Sequence, residues 1–126
     1  MPVKQRVLLI DDSTASRASL TEALRRQGFD VVAVGDLEEL DLALGRAKAD
    51  VLIVDVHMPD VFGNDLVPWL RENRLVDRPI LLYSNQSPHE LQALADECGA
   101  DGWLHKTGRP DEVAAHVERF LTGGEA

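Results

Sequence analysis

The sequence predicts an α/β domain, a doubly wound five-stranded parallel sheet with five helices on its two faces. Three observations carry that prediction. Short apolar runs alternate with longer segments of helical period along the whole chain, the pattern of consecutive βα units. The central run, Val51 to Val54, is unbroken and rich in β-branched residues, as a strand buried on both faces must be. The first and third runs both end in carboxylates, Asp11-Asp12 and Asp55, at the edge where ligands of such sheets bind.

The first strand is Arg6 to Ile10, RVLLI. Ser13 or Thr14 caps the helix that follows, which runs to about Gln27 with Leu20 and Leu24 on one face and Gly28 as its stop. Phe29 leads into a second strand, Asp30 to Val34. Asp36 and Glu39 have the spacing of a capping box, and Leu37, Leu40, Leu44 and Ala47 recur after them at helical intervals. Asp50 introduces the central strand. Beyond Asp55 the segment Val56 to Phe62 carries proline and no helical period, so Asp55 stands where a strand gives way to a loop. A third helix follows Gly63, with Leu66, Val67 and Leu70 inward, Trp69 in partly exposed packing, and Pro68 near the first turn, where proline is tolerated.

Pro79 precedes a fourth strand, Ile80 to Tyr83, ending at Ser84 and Asn85. Ser87, Pro88 and Glu90 supply an N-cap, an N1 proline and a capping-box acid. The helix they start buries Leu91, Leu94, Ala95 and Cys98 and stops at Gly99. Gly102 to His105 is a fifth strand leading into Lys106, and Pro110 opens a last helix with Val113, Val117, Phe120 and Leu121 inward. The domain is expected over residues 1–122, with 123–126 a disordered tail or the start of a linker.

At 126 residues the chain makes one domain, large enough to bury a core without staples. Its single cysteine rules out an internal disulfide and suits a reducing cytoplasm, with Cys98 as a small buried hydrophobe. No signal-peptide pattern and no apolar run of membrane-crossing length is present. A net charge of −9 sets aside long-range attraction to nucleic acid or acidic lipid.

Two adjacent parallel strands ending in Asp11, Asp12 and Asp55 bring three carboxylates together. Such a cluster takes up protons or is joined by a cation. Oxygen ligands on short side chains suit Mg²⁺ better than a dedicated Ca²⁺ cage, and the four scattered histidines and one cysteine have no zinc spacing. A single Asp after a strand is commonly only a helix cap; three acids at matching strand ends are more than capping requires.

The series Asp11-Asp12, Asp55 with Met58-Pro59-Asp60 and Gly63, Ser84, and Gly99-Ala100-Asp101-Gly102 leading to Lys106 resembles the receiver domain of two-component response regulators, over Val3 to about Leu121. The resemblance implies a flavodoxin-like fold with strand order 2-1-3-4-5. It implies that Asp55 accepts a phosphoryl group from a histidine kinase or a histidine phosphotransfer protein. Mg²⁺ would be ligated by Asp12 and Asp55 directly, by Asp11 through water and by the His57 backbone carbonyl. Lys106 and the Ser84 hydroxyl would bind phosphoryl oxygens. Ser84 and Trp103 would form the switch, the hydroxyl moving toward the phosphate and the aromatic turning inward behind it, while His57 and Gln86 would tune the phosphate's lifetime. On this reading the chain is no enzyme but a phosphoacceptor that assists its own phosphorylation and dephosphorylation. It would be a monomer or weak dimer, standing alone or cut from a longer regulator, whose output passes to a protein on the face of the fourth helix, fifth strand and fifth helix.

Three departures from the family pattern stand out. Thr107 follows Lys106 where proline is usual, which disfavours a cis peptide there. Asn85 replaces a usually small residue and is expected to narrow the entrance, and Trp103 is bulkier than the usual Tyr or Phe. His89, His105 and His116 read as surface or capping residues. An aspartate-nucleophile phosphatase of the haloacid dehalogenase type would need a second Asp where His57 stands. A flavin or nucleotide binder would need a glycine- or hydroxyl-rich loop after the first strand, whereas DDSTAS has two carboxylates and no glycine. The alternative left open is a receiver-like interaction module that signals by protein contact without phosphorylation.

Overall fold

The computed structural model describes residues 4–46, 48–58, 61–106 and 109–123. Strands and helices alternate as β1 (Arg6–Ile10), α1 (Thr14–Arg26), β2 (Asp30–Val34), α2 (Leu37–Arg46), β3 (Val51–Asp55), α3 (Gly63–Asn73), β4 (Ile80–Ser84), α4 (Pro88–Cys98), β5 (Gly102–His105) and α5 (Pro110–Leu121). The strands form one parallel sheet in the order β2-β1-β3-β4-β5, as the resemblance implies.

Burial explains the order. Every residue of β3 and β4 is buried, and so is β1 after Arg6, whereas β5 mixes buried and half-buried positions and β2 adds an exposed one at Ala33, as sheet edges do. Side chains alternate between faces along a strand. Val7, Leu9, Val51, Ile53, Leu81 and Tyr83 therefore meet Leu20, Leu24, Val113 and Val117 of α1 and α5. Their neighbours Leu8, Ile10, Leu52, Val54, Ile80 and Leu82 meet Leu40, Leu66, Leu70 and Leu91 of α2, α3 and α4. Each large apolar side chain so buried contributes about 1.5–3 kcal/mol.

The local signals resolve at atomic detail. Ser13, not Thr14, caps α1, its hydroxyl accepting from Ser16 N at 3.3 Å. The Asp36–Glu39 box is displaced by one residue. Asp36 accepts from Glu39 N at 2.8 Å, but the Glu39 carboxylate accepts from Gly35 N rather than Asp36 N. In α2, Leu40 and Ala43 carry the burial while Leu37 and Leu44 are half-buried; Ala47 lies outside the described residues. Ser87 and Glu90 form the complete box, and Gly99 closes α4 at φ 81. Pro68 lies inside α3 rather than in its first turn. It removes one backbone donor there, and α3 is held by Leu66, Val67 and Leu70, all buried. Of the three peripheral histidines only His89 is exposed; His105 and His116 are half-buried. No described helix is long and apolar enough to cross a membrane. Pro59, Asp60, Thr107 and residues 124–126 lie outside the described residues.

Candidate functional site

β1 and β3 are paired so that Ile10 faces Val54, and Asp11 and Asp55 therefore leave the sheet side by side. This is where the strand order reverses, since β1 connects to β2 on one side and lies beside β3 on the other, and such reversals open a crevice. One carboxylate oxygen from each of Asp11, Asp12 and Asp55 lies within 4.8 Å of the others. Asp11 and Asp55 are buried; Asp12 is exposed at the rim. Lys106, just past β5, reaches in with Nζ 3.3 Å from Asp55 Oδ2 and 3.8 Å from Asp11 Oδ2. Its own N–H donates to Ser84 O at 2.8 Å, so the β4–β5 ladder sets where that side chain starts.

Three carboxylates face one ammonium, and the Asp55 carboxyl records the imbalance. Burial pushes its pKa up to about 6. Lys106 and the His57 N–H, which donates to Oδ1 at 3.1 Å, pull it back, and Asp11 adds to the rise. An all-oxygen donor set of three carboxylates, one of them open to solvent, fits a hard divalent cation that keeps waters.

The remaining expected residues divide. Ser84 is buried at the end of β4, its hydroxyl accepting from Gln86 N at 3.1 Å and donating to Gln86 Oε1 at 3.3 Å. Ser84 and Gln86 thus form a unit, tied to the acid cluster through the Lys106 main chain. His57 is exposed, and its backbone pairs with Phe62 across the loop. Trp103 is half-buried against the α2–α3–α4 core, and its indole N–H donates to Gln92 of α4 at 2.7 Å. Asn85 is exposed.

A family model of the response regulator receiver domain matches residues 7–118. The chain belongs to that family. Receiver domains are signalling switches of two-component systems. The DNA-binding response regulator MtrA of Mycolicibacterium smegmatis is 30% identical over 123 residues, covering 98% of this chain and 53% of that protein. The transcriptional regulatory protein GltR of Pseudomonas aeruginosa is 34% identical over 116 residues, covering 91% of this chain and 48% of its own length. The receiver thus spans about half the length of these curated relatives. The chemotaxis protein CheY4 of Vibrio cholerae superposes with a TM-score of 0.82 at 29% identity, covering 93% of this chain and 98% of that one. A two-component response regulator from Clostridium difficile superposes at 0.83 with 20% identity, covering 98% of this chain and 100% of that one, a likeness of fold alone.

Two residues of the receiver's site escape a reading of the sequence. Ser16 of α1 donates its hydroxyl to Asp11 Oδ2 at 2.6 Å. Tyr83 lies beneath Lys106, with Nζ 4.8 Å from the ring centroid. The only signal for Ser16 is that a helix capped two residues after Asp11 turns its first hydroxyls back toward that acid. Tyr83 has none, since an aromatic inside a buried strand reads as core.

Proposed function

We propose that the receiver is a phosphorylation-activated switch in which Asp55 takes a phosphoryl group from a histidine kinase or a histidine phosphotransfer protein. The observation that supports this best is the buried Asp55 carboxylate held 3.3 Å from Lys106 inside a cluster of three acids. The Asp55 carboxylate attacks phosphorus while the P–N bond of the phosphohistidine breaks. Its electron pair leaves on the imidazole nitrogen, and an acyl phosphate remains on Asp55. Lys106 binds a phosphoryl oxygen as a point charge, and the Ser84 hydroxyl, turned away from Gln86, donates to another. Asp12 and Asp55, Asp11 through water and the His57 carbonyl would hold Mg²⁺, which when bound supplies the positive charge that lets carboxylates and phosphoryl oxygens approach. With its pKa near 6, Asp55 is ionised at neutral pH by a narrow margin, and Lys106 keeps it so.

The switch then reaches the face of α4, β5 and α5, where Trp103 is bonded to Gln92. A protein docking there reads the state, and the setting is the cytoplasm. At −9 the domain itself repels nucleic acid, so any DNA contact belongs to another segment or another protein.

The deciding experiment adds beryllofluoride, an acyl-phosphate mimic, with and without Mg²⁺ and follows backbone amides by NMR in wild type and Asp55→Asn. Mg²⁺-dependent shifts lost in the variant and spreading from Asp55 to Ser84 and Trp103 are expected. Shifts confined to the pocket would remove the switch but keep the acceptor. No binding would leave only a module that signals by contact.

A further inference from the structure

Both oxygens of Asp11 are already engaged. Oδ1 accepts from Ser13 N at 3.0 Å, and Oδ2 accepts from the Ser16 hydroxyl at 2.6 Å. A carboxylate only accepts, so Ser16 is the donor in this contact, and charge-assisted bonds of this length are the strong ones. The Ser16 side chain lines one cavity with Tyr83 and Lys106, and the Tyr83 ring underlies Lys106 Nζ at 4.8 Å. Ser16, bonded to Asp11, and Tyr83, stacked under Lys106, thus stand around one cavity on the α1–α5 side of the sheet.

Its consequence follows from a competition. Lys106 has two buried carboxylates within reach, Asp55 at 3.3 Å and Asp11 at 3.8 Å, and that half-ångström hardly separates them electrostatically. What separates them is that Asp11 Oδ2 already has a donor. Without the Ser16 hydroxyl, that buried oxygen would be left with Lys106 as its remaining donor, and an unsatisfied buried acceptor is costly. A small side-chain rotation would then draw the lysine to Asp11 and away from Asp55.

We propose that Ser16 is a positioning residue that fixes Asp11 so that Lys106 stays with Asp55, with Tyr83 bracing both. This rests on the phosphoacceptor reading above. The test measures Mg²⁺ affinity by calorimetry, and beryllofluoride affinity at saturating Mg²⁺ by NMR, in wild type, Ser16→Ala, Ser16→Thr, Asp11→Ala and the Ser16→Ala/Asp11→Ala double variant. Alanine is the better helix former, so Ser16→Ala is expected to stay folded, which circular dichroism checks. Each affinity is expected to weaken about tenfold in Ser16→Ala, the loss typical of an outer hydrogen bond to a metal ligand, and to return in Ser16→Thr. In the Asp11→Ala background the second substitution is expected to change nothing, whereas a general packing role would persist there. Wild type that binds, with Ser16→Ala binding equally well, overturns this inference alone. Wild type that binds neither Mg²⁺ nor beryllofluoride overturns the phosphoacceptor reading and this inference with it.

Discussion

A β-carbon on Gly63 would overlap the main-chain carbonyl of Asp55. The first residue of α3 thus packs on the backbone of Asp55 itself, with Gly63 N donating to Val56 O at 2.8 Å. The obstacle is backbone on both sides and cannot swing aside. Gly63→Ala is expected to cost about 1–3 kcal/mol in urea unfolding and to weaken Mg²⁺ binding beyond what the lost stability explains. A variant that keeps wild-type metal affinity would show that the α3 start does not set the position of Asp55.

Asp55 makes the stability of the metal-free protein depend on pH in a particular direction. Its carboxyl titrates near 6 when folded against 3.8 for a free side chain, so the folded state holds this proton more tightly. Stability contributed by Asp55 therefore rises as pH falls through about 6, is complete below 3.8, and is absent at neutral pH. The span corresponds to at most about 3 kcal/mol. Asp55→Asn is expected to be more stable than wild type at pH 7 without metal, and the difference should shrink toward pH 4. Thermal melts of both proteins across that range check it. Saturating Mg²⁺ should raise the wild-type melting temperature at pH 7 and leave the variant nearly unmoved.

The fold was legible because its signals repeat. Each strand is an apolar run, several turns carry a cap or a glycine, and the acids stand at matching strand ends. The positions of Asp11, Asp55 and Lys106 could be read that way because strand ends are fixed by strand register. Pro68 is expected near the first turn of α3 and lies inside the helix instead, because the buried Leu66, Val67 and Leu70 hold the helix through it. Ser16 and Tyr83 were not legible for a related reason. Their roles come from partners the local pattern does not show, Asp11 for Ser16 and Lys106 for Tyr83, and neither residue type is unusual where it stands.

Leu75 tests the framework apart from the site. It is the one non-glycine residue among those described with a positive φ, 54°, and its side chain is 81% exposed. Left-handed backbone costs a non-glycine residue about 1–2 kcal/mol, and so exposed a side chain returns little in packing. Leu75→Gly gives back part of that through the looser unfolded chain. A net gain of about 0.5–1 kcal/mol is expected, seen as a melting temperature a few degrees higher, with metal binding unchanged. A lower melting temperature would mean that Leu75 packs more usefully than its exposure indicates.

The Trp103–Gln92 bond at 2.7 Å opposes any rotation of the indole. A hydrogen bond of this kind is worth about 1 kcal/mol net, or about fivefold in a two-state population. With Trp69→Phe as background, emission reports Trp103 alone, since the chain has two tryptophans. Gln92→Leu is expected to shift the beryllofluoride titration of that emission to about fivefold lower concentration. An unchanged midpoint would mean that Trp103 does not turn when the site is filled.

Gln86 holds the Ser84 hydroxyl from both sides, donating its N–H and accepting at Oε1. A phosphoryl group on Asp55 can recruit that hydroxyl only if the side-chain half of this pairing breaks. Gln86→Ala removes the Oε1 acceptor but keeps the backbone donor, so Ser84 is freed without being displaced. The acyl phosphate should then be held more readily by Ser84, and its lifetime, followed after removal of the phosphodonor, is expected to lengthen several-fold while the unfolding midpoint stays within about 0.5 kcal/mol of wild type. His57 is exposed, and its backbone N–H donates to Asp55 Oδ1. His57→Ala keeps that N–H and changes only what side chain stands beside the approaching water. Unchanged lifetimes in both variants would place control of hydrolysis elsewhere in the pocket.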